Sequence, residues 1–165
     1  MAKTDSFFIR ASTSTNGVTY AQTSIDLGAY VDALGKSVLR IHNIAVQYGT
    51  PADTYAGTAN SAASTVFQLT TQSQSAMVDC TDKSIVSTGK LAVASGVGAG
   101  DIFMSEALDI APQHWTNGYL IGVEQIYLGV DQVGADLVNQ VGIVLECTVE
   151  TLSQSAAMAL ALSQQ

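Results

Sequence analysis

Charge is scarce in this chain. Asp, Glu, Lys and Arg make up 12% of its 165 residues, about half the share usual in a soluble domain, so its surface must be built largely from Ser, Thr, Gln, Asn, Gly and Ala. Solubility normally relies on interspersed charges, and a surface this poor in them is weakly protected against association. Bases are scarcer still, six against 14 acids for a net charge of −8, and they are scattered at Lys3, Arg10, Lys36, Arg40, Lys83 and Lys90. Binding of DNA or RNA rests on grouped cations that neutralise several phosphates, and an anionic membrane surface asks for the same. Direct contact with either is not expected.

Long apolar runs are also missing. Near the start, Phe7, Phe8 and Ile9 are the whole run, far short of the ~7–15 residues at the heart of a secretory signal, and no segment approaches the ~18 of a membrane-spanning helix. Neither a signal peptide nor a membrane span is expected. The two cysteines, Cys80 and Cys147, are far apart and carry no metal-type or redox spacing. Two buried thiols are the plainer reading, with a disulfide between them left open.

Residues that name a reaction are nearly absent. The two histidines are His42, inside an apolar strand-like run, and His114, beside Trp115. His42 reads as a hydrogen-bonded structural histidine and His114 as a packing or contact residue. There is no G-x-S-x-G elbow, and the Gly-rich SGVGAGD at 95–101 lacks the Lys of a phosphate cradle and reads as a flexible loop. DCTD at 79–82 reads as an acidic turn. Glu146 with Glu150, or Glu124 with Asp109, could be paired as in a glycosidase, but Glu146 and Glu150 read as solvation of an outer strand face. No catalytic residue, metal site, cofactor or small-molecule substrate is expected, and the chain is read as no enzyme.

What the chain does have is apolar residues, 47% of the total, in short segments punctuated by Gly, Asn, Asp and Ser. This is the pattern of β structure. Strands are expected near 6–12, 18–26, 38–48, 65–73, 76–80, 84–94, 101–109, 119–130 and 141–151. In VGIVLECTVE, Ile143, Leu145, Cys147 and Val149 share one face opposite Glu146, Thr148 and Glu150. In VLRIHNIAVQY, Leu39 and Ile41 keep one phase and Ile44, Val46 and Tyr48 the other, so a bulge near His42 and Asn43 is expected to bring all five onto one face. Asn16-Gly17 is a two-residue hairpin signal. Short helices are expected at 27–36 and 131–140, and 49–64 reads as a long loop of small residues. NGYLIGVEQIYLGV at 117–130 is apolar on both faces of an extended chain, so each face needs cover.

These features give an all-β fold, an antiparallel two-sheet sandwich with at most short helices, formed by residues 1–152. Residues 153–165 are an uncharged apolar tail expected to dock on its own or a neighbouring subunit. About eight or nine strands, an opening hairpin, a long small-residue loop and the final strand VGIVLECTVE with its short tail resemble the single jelly-roll major capsid proteins of icosahedral viruses. The resemblance is architectural and rests on no diagnostic motif. It implies two four-stranded sheets with Greek-key connections, packed into capsomers and a closed shell within a virion, assembled in the host cytoplasm. Many small RNA-virus coats of this kind carry a basic terminal arm, whereas MAKTDSFFIR has two bases and the tail none. The chain is more similar to coats that stand over an inner membrane or another inner layer.

The function expected on these grounds is structural: self-assembly through apolar contacts between copies, with other coat proteins or an inner membrane layer as further partners. Candidate subunit-interface residues are Tyr55, Trp115, Ile121, Val123, Tyr127, Met158, Leu160 and Leu162. The alternative is a non-catalytic β-sandwich binding module such as a trimeric fibre head or lectin-like domain, using the 49–64 loop and the neighbourhoods of Tyr55 and Trp115.

Overall fold

In the computed structural model, residues 3–17, 19–32, 34, 36–50, 62–95, 102–134 and 139–165 are described. The strands are β1 (Phe7–Ser14), β2 (Ala21–Asp26), β3 (Ser37–Tyr48), β4 (Ala62–Thr70), β5 (Ile85–Ser95), β6 (Ile102–Ile110), β7 (Tyr119–Ile121), β8 (Gln125–Val133) and β9 (Gln140–Thr151). One helix, α1 (Gln154–Ser163), follows.

Two antiparallel sheets stack. One has four strands in the order β1-β9-β3-β7 and the other five in the order β2-β8-β4-β5-β6. The pairings nest: β1 with β9, β2 with β8, β3 with β7 and β4 with β5. Such nesting is a long antiparallel hairpin wound around itself, and the further pairs β3–β9 and β4–β8 close the roll. This is a jelly roll with β6 added at one sheet edge.

Alternation on the strands builds the core. Leu39, Ile41, Phe67, Leu69, Ile126, Leu128, Val130, Leu145 and Cys147 are wholly buried between the sheets. The register of β3 on β9 shifts between Ile41 and Asn43, and with that bulge Ile44 joins Leu39 and Ile41 in the core while Val46 and Tyr48 pack against it.

Several expectations are corrected. Asn16-Gly17 does turn, with Gly17 at φ 63° and Asn16 and Thr19 bonded to each other, but β1 and β2 enter different sheets, so the turn rounds a corner between layers. The segment 119–130 is not one strand: β7 lies in one sheet and β8 in the other, joined across Gly122–Glu124. That switch explains why neither face looked fit for water, since side chains of both parities reach the core. Residues 76–80 form no strand, and 27–31 make one turn rather than a helix, closed by Val31 N–H to Leu27 O at 2.9 Å. There Leu27 and Val31 are buried while Tyr30 stacks on Phe7 with ring centroids 4.8 Å apart. Residues 131–133, expected to start a helix, continue β8. Most of the 49–64 loop, the run 96–101 and residues 135–138 lie outside the described residues.

The thiols differ from each other. Cys147 is buried, and burial pushes its pKa up to about 12. Cys80 is exposed, and both are free, so there is no disulfide between them. The DCTD segment is an acidic turn: the Asp79 carboxylate accepts the N–H and O–H of Thr81, at 2.9 and 2.8 Å, and Asp82 does the same for Ser84.

Helix α1 begins at Ser153, whose Oγ accepts the Ala156 N–H at 3.3 Å, a side-chain cap of the usual kind. Only Ala157 and Ala161 of the helix are buried. The attachment is made at its end. The Gln164 side chain accepts the Gly122 N–H at 2.8 Å and donates to Leu120 O at 2.7 Å, while its carbonyl accepts the Thr71 hydroxyl at 3.0 Å. Gly122 makes room for this contact, because a Cβ there would lie 3.0 Å from both Ala161 N and Leu160 Cγ. Gly122→Val is therefore expected to cost about 1–3 kcal/mol and to lift α1. Faster elastase cleavage within 154–163 and a smaller helical signal at 222 nm, with the β spectrum kept, would check it.

Candidate functional site

Two regions outside the core gather polar chemistry. The first is the outward face of the four-stranded sheet. Arg40 on β3 and Glu150 on β9 come from positions 110 residues apart and form a two-pronged pair, Nε to Oε1 and Nη2 to Oε2, both at 2.7 Å. Their side chains are 17% and 8% exposed. A third Arg40 nitrogen donates to Asn117 O, and Lys3 Nζ stands 3.6 Å from Glu150 Oε1. The Arg40 hydrogen bonds hold the Glu150 carboxyl below its ordinary value and raise the guanidinium.

Beside this pair, His42 Nε2 meets Thr148 Oγ1 at 2.9 Å. Burial, then the nearby Lys3 charge, lowers its pKa, leaving it neutral near pH 7. Asn43 donates to Glu146. The β9 face read as solvated is thus largely covered, Glu150 and Thr148 being buried. Its carboxylates are held by fixed partners, an arrangement that suits structure better than proton transfer. Among the described residues no group of three His, Cys, Asp or Glu is placed to hold a metal ion.

The second region is a groove of about 660 Å³ between the end of α1, residues 71–73 and the β7–β8 connection, lined among others by Gln72, Ser73, Val123, Gln125 and Tyr127. The Tyr127 hydroxyl donates to Gln125 Oε1 at 2.9 Å, and Gln22 Nε2 donates to Ser73 Oγ at 2.5 Å. Glu124 is the charged side chain on its wall.

The residues expected at a subunit contact are dispersed. Ile121 is wholly buried in the sandwich, so one copy covers its apolar surface itself, while Val123 is half-buried, packed against the same core and lining the groove. Tyr127 is half-buried in the groove. Leu160 is half-buried over Gly122, while Met158 and Leu162 on α1 face outward. Trp115 is exposed just after the short 3-10 turn Pro112–His114. Tyr55 lies outside the described residues. The sequence reading missed Phe8, Leu34, Phe103, Met104 and Val133, all exposed. The run Ile102-Phe103-Met104 was a usable signal, since consecutive apolar residues on an edge strand put one of them on the outer face.

No family model matches the chain and no curated protein matches it. Among solved structures, that of Desmodium yellow mottle tymovirus is 10% identical, with a TM-score of 0.30 and 90% of each chain covered. VP1 of Trichodysplasia spinulosa-associated polyomavirus, solved with GM1 oligosaccharide, is 9% identical with a TM-score of 0.38, over 89% of this chain and 96% of that one. The unassembled pentamer of Merkel cell polyomavirus VP1 is 6% identical with a TM-score of 0.37, over 88% and 96%. The likeness to these viral proteins is loose in structure and slight in sequence. The jelly-roll assignment itself rests on the nested strand order.

Proposed function

We propose that this chain is a structural coat protein that assembles with copies of itself into an icosahedral viral shell. The observation that carries the reading is the apolar surface left over once the sandwich is complete. Phe8, Leu34, Phe103, Met104, Trp115, Val133 and Leu162 are each more than half exposed, in a chain with little charge to keep such surface solvated. Three of them, Phe103, Met104 and Val133, adjoin one depression, and a contiguous exposed apolar patch marks an association surface. The jelly roll hosts coats, lectin domains and enzymes alike, so the fold permits the reading and the surface favours it.

Electrostatics agree with a coat that leaves genome contact to another component. Lys3 and Arg40 are spent on Glu150, Arg10 lies over the Phe8 ring at 5.7 Å from its centroid, and Lys83 donates to Gln165 O. The protein would reside in the virion, with other coat proteins or an inner layer as further partners. Light scattering and negative-stain microscopy of the purified chain test this. Capsomers, sheets or shells are expected, and a monomer at all concentrations would overturn it. The amide- and hydroxyl-lined groove favours the second reading, a glycan-binding module; a small discrete oligomer that binds neutral sugars on an array would replace the first.

A further inference from the structure

The reading of self-assembly leaves open which face of the sandwich meets the next copy. Directly opposed residues of neighbouring strands share a face. On the five-stranded sheet Thr65, Phe67 and Leu69 point into the core, so Ala62 and Ser64 point outward. Across the sheet Ser64 opposes Val133 on β8 and Ala92 on β5, and Ala92 opposes Ser105 on β6. One row further on, Ala62 opposes Ala94, which opposes Phe103. The outward face at this end is therefore a floor of small side chains with a large apolar one at each margin, Phe103 at 69% and Val133 at 68% exposure. A depression of about 300 Å³ lies here, and no charged side chain lines it.

Resting on the self-assembly reading, we propose that this face binds a second copy of the chain in a two-fold contact, the Phe103 ring of each copy lying on the Ala92 and Ala94 floor of the other. A two-fold interface uses the same patch on both partners, so the patch must carry both the projecting and the receiving part. This one does. β8 and β6 are three strand spacings apart, roughly 14 Å, which leaves room between the margins for an aromatic ring. Charge points to the same partner: two chains of net charge −8 repel wherever acids face each other, and the lining of this depression has none, the nearest acid on this face being Asp131, one row away beside Val66 and Lys90. A small polar ligand would find little here to bond beyond the Ser64 and Ser105 hydroxyls.

Sedimentation velocity of the full chain over a range of concentrations tests the contact. Phe103→Lys and Ala92→Glu are each expected to weaken self-association by about tenfold or more while the far-UV spectrum stays that of the parent. Ser12→Glu, exposed on the outward side of the other sheet, should leave it unchanged. Because either variant could misfold, the two are also mixed: Phe103→Lys on Ala92→Glu restores one attractive contact, and association should recover in the mixture alone. Variants that associate as tightly as the parent would overturn this face while leaving self-assembly standing. A parent chain that is monomeric throughout would remove both.

Discussion

Phe67→Ala is expected to lower the unfolding free energy by about 4 kcal/mol, within the ~3–5 range for removing a buried aromatic ring. Phe67 is wholly buried on β4, with Val130 opposite it on one side and Gly89 on the other. Gly89 makes the site costly. A Cβ at position 89 would lie 2.7 Å from the Phe67 ring and 2.8 Å from the Tyr48 hydroxyl oxygen, so the ring fills the space that a side chain would take. The Tyr48 ring also meets Phe67 edge-on at 6.1 Å. With the phenyl gone, position 89 has no side chain to swing into the void, and the cavity persists. Since a domain has only about 5–15 kcal/mol to lose, urea unfolding should show a much lower midpoint at an unchanged slope. A loss under ~1.5 kcal/mol would mean that the two sheets close over the gap.

Breaking the pair between Arg40 and Glu150 is the second large effect. Arg40→Met leaves Glu150, with its side chain 8% exposed, facing the 3.6 Å contact with Lys3 alone. Lys3 is half exposed and screened by solvent, so it offsets little. Removal of one partner of a buried pair costs about 3–5 kcal/mol, and the partial exposure of this one places it near the lower end. Replacing both, as Arg40→Met with Glu150→Leu, should recover much of the loss, which a double-mutant cycle would read.

The pair also fixes a pH dependence. Hydrogen bonding to Arg40 depresses the folded-state pKa of Glu150 below its ordinary 4.5. The unfolded chain therefore takes up this proton first, so the contribution is complete above about pH 4.5 and is lost as pH falls through the lower folded value. The melting temperature of the parent should fall more steeply below pH 4.5 than that of Glu150→Gln. Parallel curves would place the acid sensitivity elsewhere.

Strands were legible because a buried strand writes its period into the chain. The phase change at His42 and Asn43 gave the bulge, and VGIVLECTVE gave β9 almost to its ends. Partner choice was not legible. Asn16-Gly17 encodes a turn, but which sheet each flanking strand joins depends on residues over a hundred positions away. The same limit hid the sheet switch at Gly122, where apolar residues of both parities look the same whether one strand is covered twice or two strands once each. It also hid the pairing of Arg40 with Glu150, since nothing local distinguishes a base with a fixed partner from one in water. The surface apolar residues were only half legible. Trp115, Met158 and Leu162 were singled out and do face outward, whereas Phe103 lay within an expected strand and Val133 within an expected short helix, and neither was picked out.

The three residues Gly122–Glu124 carry the chain straight from β7 in one layer to β8 in the other, and Gln164 clamps that crossing at Gly122 and Leu120. So short a tether leaves almost no slack for the two layers to slide past one another. At this corner the two layers are held to one another, and α1 is fastened to the same crossing.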